Sequence, residues 1–259
     1  MRCVLVRCPE DSPYHFLFIF FPNPTAVAPH DGTGKAFPNL GLANITFDAL
    51  SDSINTEVHG KVLLVKVLLQ NLIDGFESSG KKSRVMNIGA PFGDGPKPDG
   101  SFMVIPGWMT LGTAKAASAY VWESLKKELS FTPGAKDAIA LGYGHPGMTE
   151  SSITKNAAET YPDSYPLKKM VASRLAAGNM HTGDESAALF NGVMEQTTDE
   201  EFENETWNVA KMFAKNFDGV NVKATPDVGA AGIDLKQAES TGDAALPIHK
   251  QTSSPVKAN

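Results

Sequence analysis

The stretch "MTLGTAKAASAYVWESL", Met109 to Leu125, decides how the rest of the chain is read. Leu111, Ala114, Ala117, Val121, Leu125 and Leu129 recur at helical spacing, so a helix is predicted over 109–129 with that stripe turned inward. Ala114, Ala116, Ala117 and Ala119 are small enough to let a second helix approach closely. Within this apolar setting sits one cation, Lys115, and Leu111 lies one turn before it on the same side.

Working outward, "SGKKSRVMNIGAP" (79–91) reads as a turn, a basic entry and a strand. Before it, residues 46–76 carry a long helical pattern, with Thr46 or Asp48 as its cap and Gly75 helping to end it. From Val62 to Ile73 that pattern is apolar almost all round, which predicts burial on more than one side. "KDAIALGYGHPG" (136–147) reads as an apolar strand running into a Gly-Pro turn. Helices are predicted over 166–177 and 184–196, the acidic run 198–205 as a solvated helix start, and "NFDGVNVKA" (216–224) as a hairpin or final strand. "FLFIFF" (16–21) reads as a buried strand, since six apolar residues are far too few to span a bilayer. Strands alternating with helices indicate an α/β fold with a mostly parallel sheet flanked by helices.

Composition narrows the function classes. The net charge of −6 argues against a nucleic-acid partner, because phosphate binding wants a basic surface. The two cysteines, Cys3 and Cys8, are too few for a four-thiolate zinc site, no histidine pair stands near them, and no metal site is expected. No membrane span or secretion signal is read, and a cytoplasmic location with reduced thiols is expected. "HDGTGKAF" (30–37) hints at a phosphate loop, but Pro29 and Phe37 stand where such loops need glycine. Residues 1–224 read as one domain. From 225 the chain loses its apolar period, and 225–259 reads as a disordered tail.

Four features follow in order: a helix with "NTEVHGKVLL", a strand "RVMNIGA", a helix with Lys115 followed by "AASAYVWESLKKEL", and a strand ending "GHPGMTESSI". That order resembles the second half of the short-chain dehydrogenase/reductase family. The later "GDESAALFNGVM" and "NFDGVNV" resemble its C-terminal helix and last strand. The resemblance covers roughly residues 44–223 and implies a Rossmann-like sheet. It also implies NAD(P) as cofactor and small carbonyl or alcohol substrates. Its catalytic set is a tyrosine, a lysine four residues on, a serine on the preceding strand and an asparagine on the earlier helix. Carried over, the lysine is Lys115, the tyrosine position is Leu111, the serine position is Ala90 (or Gly89 after a one-residue slip), and the asparagine position is Glu57. Lys115, Asn23, Pro146 and Gly147 are the cofactor-binding positions that the resemblance implies, and Lys115 and Glu57 the catalytic ones. Tyr120 follows Lys115 by about one and a half turns and cannot replace the missing tyrosine.

The family's opening strand, glycine-rich turn and helix have no counterpart in the sequence, so the first βαβ portion is expected to be lacking. Three functions stay open. One is an oxidoreductase-family protein with weak or lost redox activity, in which NAD(P) need not bind. Another is a repurposed isomerase, lyase or cyclase using the old pocket on a small molecule, with Glu57 or His59 as candidate base: a carboxylate on a buried helix can have a raised pKa, whereas one near a helix start is more often solvated. The last is a dimerising scaffold or pseudoenzyme partner. Helices 48–76 and 109–129 are expected to form a homo-oligomer contact.

Overall fold

The computed structural model describes residues 16–19, 47–91, 95, 103–104, 109–151, 154–155, 158–159, 163 and 166–222. Cys3, Cys8, Asn23, the 30–37 loop and the tail lie outside these residues. Four strands form one sheet: β1 (Phe16–Ile19), β2 (Ser83–Ile88), β3 (Ile139–Gly144) and β4 (Thr206–Trp207). They lie side by side in chain order, all parallel, with Val85 beside Leu141 and Asn87 beside Tyr143. Parallel neighbours need a crossover of a dozen residues or more, and helices supply it here.

Helix α1 (Phe47–Ile54), a π-helical turn (Asn55–His59) and α2 (Gly60–Ser79) connect β1 to β2. Helix α3 (Met109–Phe131) and the short α4 (Ala135–Ala138) lead into β3. Then come α5 (Pro166–Ala176), α6 (Gly183–Gln196) and α7 (Asp199–Asn204) before β4, and α8 (Val209–Lys215) after it. Helices α6 and α7 each start on a capping box, Thr182 with Glu185 and Thr198 with Glu201.

The pleat sorts the strand residues into two cores, because successive side chains point to opposite faces. Val85, Ile139, Leu141 and Tyr143 pack with Val65, Leu72 and Ile73 of α2 and Trp122 and Leu129 of α3. Met86 and Ala140 pack on the other face with Leu189, Phe190 and Val193 of α6, Phe202 of α7 and Met212 of α8. Trp122 also donates its indole N–H to Gly142 O at 2.8 Å, tying α3 to the middle of β3.

Several sequence expectations are corrected. Gly75 does not end α2. The helix runs to Ser79 and stops where Gly80 takes a left-handed φ of 68° and donates to Phe76 O. The 62–73 segment is buried on one side only, with Leu63 58% and Val67 65% exposed. Its apolar run is wider than the face that the sheet and α3 cover. On α3 the buried face is rotated from the predicted stripe: Ala114, Lys115, Ser118, Trp122 and Leu129 are buried, while Leu111, Ala117 and Val121 are only partly so. Polar residues enter this face because they find partners there. Residues 216–222 form no strand, and the last strand among the described residues is Thr206–Trp207. Asn216 in a left-handed conformation ends α8 there, and Phe217, Val220 and Val222 pack as irregular chain against the second core.

Arg84 illustrates how β2 is locked to the second face. Its guanidinium donates to Met194 O, Thr197 Oγ1, Thr197 O and, through two nitrogens, Asp199 Oδ1. It also lies 5.1 Å from the centre of the Phe202 ring. The fork therefore satisfies carbonyls at the end of α6 and the acidic start of α7 at once.

Candidate functional site

Two helices place four polar side chains in one buried spot. The π-helical turn, whose closing bond runs from Gly60 N–H to Asn55 O, carries Glu57, and Lys61 follows one turn later on α2. On α3, Lys115 and Ser118 are three residues apart and share a side. Asn87 projects from β2 towards them, on the same face as Val85.

The charges form a chain with Glu57 in the centre. Glu57 Oε2 accepts from Lys61 Nζ at 2.7 Å, and Oε1 lies 2.6 Å from Lys115 Nζ. The second contact is a buried ion pair. Lys61 Nζ donates in addition to Asn87 Oδ1 at 2.7 Å and Ser118 Oγ at 3.0 Å. An ammonium has three N–H groups, so Lys61 is saturated. Glu57 and Lys61 are each 2% exposed and Lys115 6%.

Burial pushes the Glu57 carboxyl up, but the ammonium groups of Lys115 and Lys61 outweigh it and hold the group below its ordinary range. Neither reading of Glu57 from the sequence holds: the residue is buried and not solvated, and two cations flank the carboxylate and outweigh the rise that burial alone would give. Lys61 is lowered to about 8, first by burial and then by the charge of Lys115, with Glu57 working the other way.

The sign of the pH effect follows. Lys61 in the folded chain loses its proton at about 8, below the ordinary lysine value of 10.5, so between these values the unfolded chain binds more protons. Stability from this group therefore rises with pH across that window, by about 3 kcal/mol in all. Urea unfolding at pH 8, 9 and 10 should show the wild type gaining on Lys61→Met. Parallel pH profiles for the two proteins would refute it.

The other named positions separate. His59 is exposed and bonded through Nδ1 to Asn55 Oδ1, so it points away from Glu57's partners and is no base for this site. Tyr120 is 77% exposed. Pro146 and Gly147 follow the end of β3, and among the described residues no hydrogen bond or ion pair ties them to the cluster. Ala90 uses its carbonyl to accept from Tyr143 Oη at 3.0 Å. Gly89 has no room for a side chain, since a Cβ there would stand 2.3 Å from the Tyr143 Oη. A serine at position 89 is therefore sterically excluded while Tyr143 stays in place.

Lys61, Asn87 and Ser118 were not singled out from the sequence. The signal was present in part: Glu57 and Lys61 at i, i+4 within an apolar helix is a spacing that pairs them. Nothing local announced Asn87 or Ser118, whose roles depend on strand and helix meeting.

No protein-family model matches the sequence, and no curated protein matches it. Among solved structures, the chain is similar to the crystal structure of the KRED1-Pglu enzyme, with TM-score 0.51 and 14% identity over 66% of this chain. The fold is Rossmann-like. The chain spans 63% of the length of that enzyme. At this identity the likeness concerns the architecture alone, a parallel sheet flanked by helices. No helix among the described residues is long and apolar enough to cross a membrane.

Proposed function

We propose that this protein is an oxidoreductase-like chain of the short-chain dehydrogenase/reductase type whose carbonyl-reducing chemistry is weak or lost. The observation that carries the reading is the environment of Lys115. In the family's route a tyrosine gives or takes the substrate proton, and the lysine beside it lowers its pKa. Here position 111 is a leucine and position 90 an alanine, and the Lys115 ammonium faces the carboxylate of Glu57.

These residues do not fit a nicotinamide working by that route. Leu111 has no proton to give, and Glu57 is held charged and is a weak base. Lys61 has every N–H engaged. The cluster supplies a fixed electrostatic field in place of a proton relay. Loss of one acid–base group removes roughly 10²–10⁴-fold in rate. The KRED1-Pglu enzyme, a ketoreductase by its name, supports the ancestry through fold alone.

The test is direct. Purified protein titrated with NADH and NADPH, followed by fluorescence and thermal shift, should show no micromolar binding and no turnover of small ketones or aldehydes. The double variant Leu111→Tyr, Ala90→Ser should also remain inactive, because Glu57 and Lys61 still occupy the relay. Restored carbonyl reduction in that variant would show that a working cofactor cleft survives and would overturn the reading.

A further inference from the structure

We propose that the Glu57–Lys61–Lys115 cluster is a binding site for the carboxylate or phosphate group of a small molecule, received by Lys115. The inference rests on the reading of the cluster as a fixed-charge centre and goes further by naming what it would hold.

The first argument is charge. Two ammonium groups and one carboxylate are buried together, each at least nine-tenths hidden from solvent. Both oxygens of Glu57 are already engaged, one by each lysine. Among the described residues no second carboxylate pairs with Lys61 or Lys115. The groups that complete the spot, Asn87 of β2 and Ser118 of α3, are neutral. Among the described residues the cluster therefore carries one uncompensated positive charge, in a place where unpaired charge is costly.

The second argument is donor capacity. Lys61 spends its three N–H groups on Glu57 Oε2, Asn87 Oδ1 and Ser118 Oγ. Lys115 Nζ meets Glu57 Oε1 at 2.6 Å and among the described residues makes no other polar contact, which leaves two of its three N–H groups unspent. Spare donors and surplus charge thus coincide at Lys115 Nζ. An oxyanion satisfies both, whereas a neutral hydroxyl satisfies only the donors.

The third argument is position. Asn87 lies one residue before the end of β2 and pairs in register with Tyr143 near the end of β3. Open parallel sheets receive ligands beyond the carboxyl ends of their strands. The cluster sits on the α2/α3 side of that edge.

The full chain would be titrated at pH 7 and constant ionic strength with inorganic phosphate and, separately, acetate. Sodium chloride and the neutral 1,2-propanediol serve as controls, and calorimetry and thermal shift as readouts. Saturable binding of phosphate or acetate is expected, with about tenfold or greater weakening in Lys115→Met, the loss of one charge-assisted contact. Wild-type protein alone gives a second readout that needs no variant. An anion beside the cluster favours charged Lys61, so binding at pH 8 should take up a fraction of a proton, seen as heats that depend on the buffer's ionisation enthalpy. Binding no stronger than chloride, equal binding of the diol, affinity unchanged in Lys115→Met, or no proton uptake would each overturn the proposal. NADPH turnover would overturn the preceding reading on its own, because the anion titration contains no nicotinamide and no carbonyl substrate.

Discussion

Glu57→Ala is expected to destabilise the folded chain by about 3–5 kcal/mol at pH 7, the cost of stranding one side of a buried ion pair. The mutation leaves Lys61 and Lys115 facing each other without the carboxylate that separates them, 2% and 6% exposed respectively. Neither can rehydrate without opening the contact between α2 and α3. Lys61 would shed its proton more readily still, since the group that opposed its lowering is gone. The prediction has an internal control. Glu57→Leu combined with Lys115→Met removes one negative and one positive charge, and it should cost less than Glu57→Ala alone, because only Lys61 remains and its other acceptors, Asn87 and Ser118, persist. Urea unfolding of the single and double variants measures both. A Glu57→Ala cost under about 1 kcal/mol, a value typical of exposed pairs, would mean that the cluster is solvated and the buried-charge account is wrong.

Arg84→Met is expected to cost about 3 kcal/mol, for a different reason. Asp199 is 40% exposed on its side chain, so its carboxylate can return to water when the guanidinium is removed. Met194 O and Thr197 O cannot do so as easily, because both received their hydrogen bond from a buried donor on β2. An orphaned buried acceptor costs about 1–3 kcal/mol. Methionine restores much of the lost volume over Phe202 without any donor. Arg84→Lys should recover less than half of the loss, since one ammonium cannot reach two carbonyls and a carboxylate in fork geometry. Thermal and urea unfolding of both variants decide it. Equal stability of the lysine variant and the wild type would show that charge alone matters at this position.

These two residues show how differently sequence and structure speak. Arg84 and Glu57 both lie in segments whose elements were legible. Strand β2 was readable as "RVMNIGA" after a basic entry, and the helix carrying Glu57 from its long apolar period. Nothing in the local sequence distinguishes a buried basic residue at the strand entry from a solvent-facing one. Its burial arises because α6 ends and α7 begins over that strand position, more than a hundred residues later. The errors at the last strand and the end of α2 share a cause. "NFDGVNV" has the alternating composition of a strand but meets no partner edge, whereas "TW" is too short to register as a strand and pairs with Tyr143 and Gly144. Gly75 is a plausible stop, but a helix with packing on one face carries a glycine at a cost near 1 kcal/mol.

What the sequence determined by itself is the helical and strand periods, and with them the spacing of Glu57 to Lys61 and of Lys115 to Ser118 along two faces. Spacing along a helix is a local property, set by the 3.6-residue turn. Which faces meet is decided by packing against β2, which brings Lys61 to Ser118 across 57 positions and to Asn87 across 26. That meeting also decides the chemistry. A carboxylate buried alone would have been raised towards a general acid, but one buried between two ammonium groups is lowered and fixed as a charge, a sign that depends on neighbours brought together only by the fold.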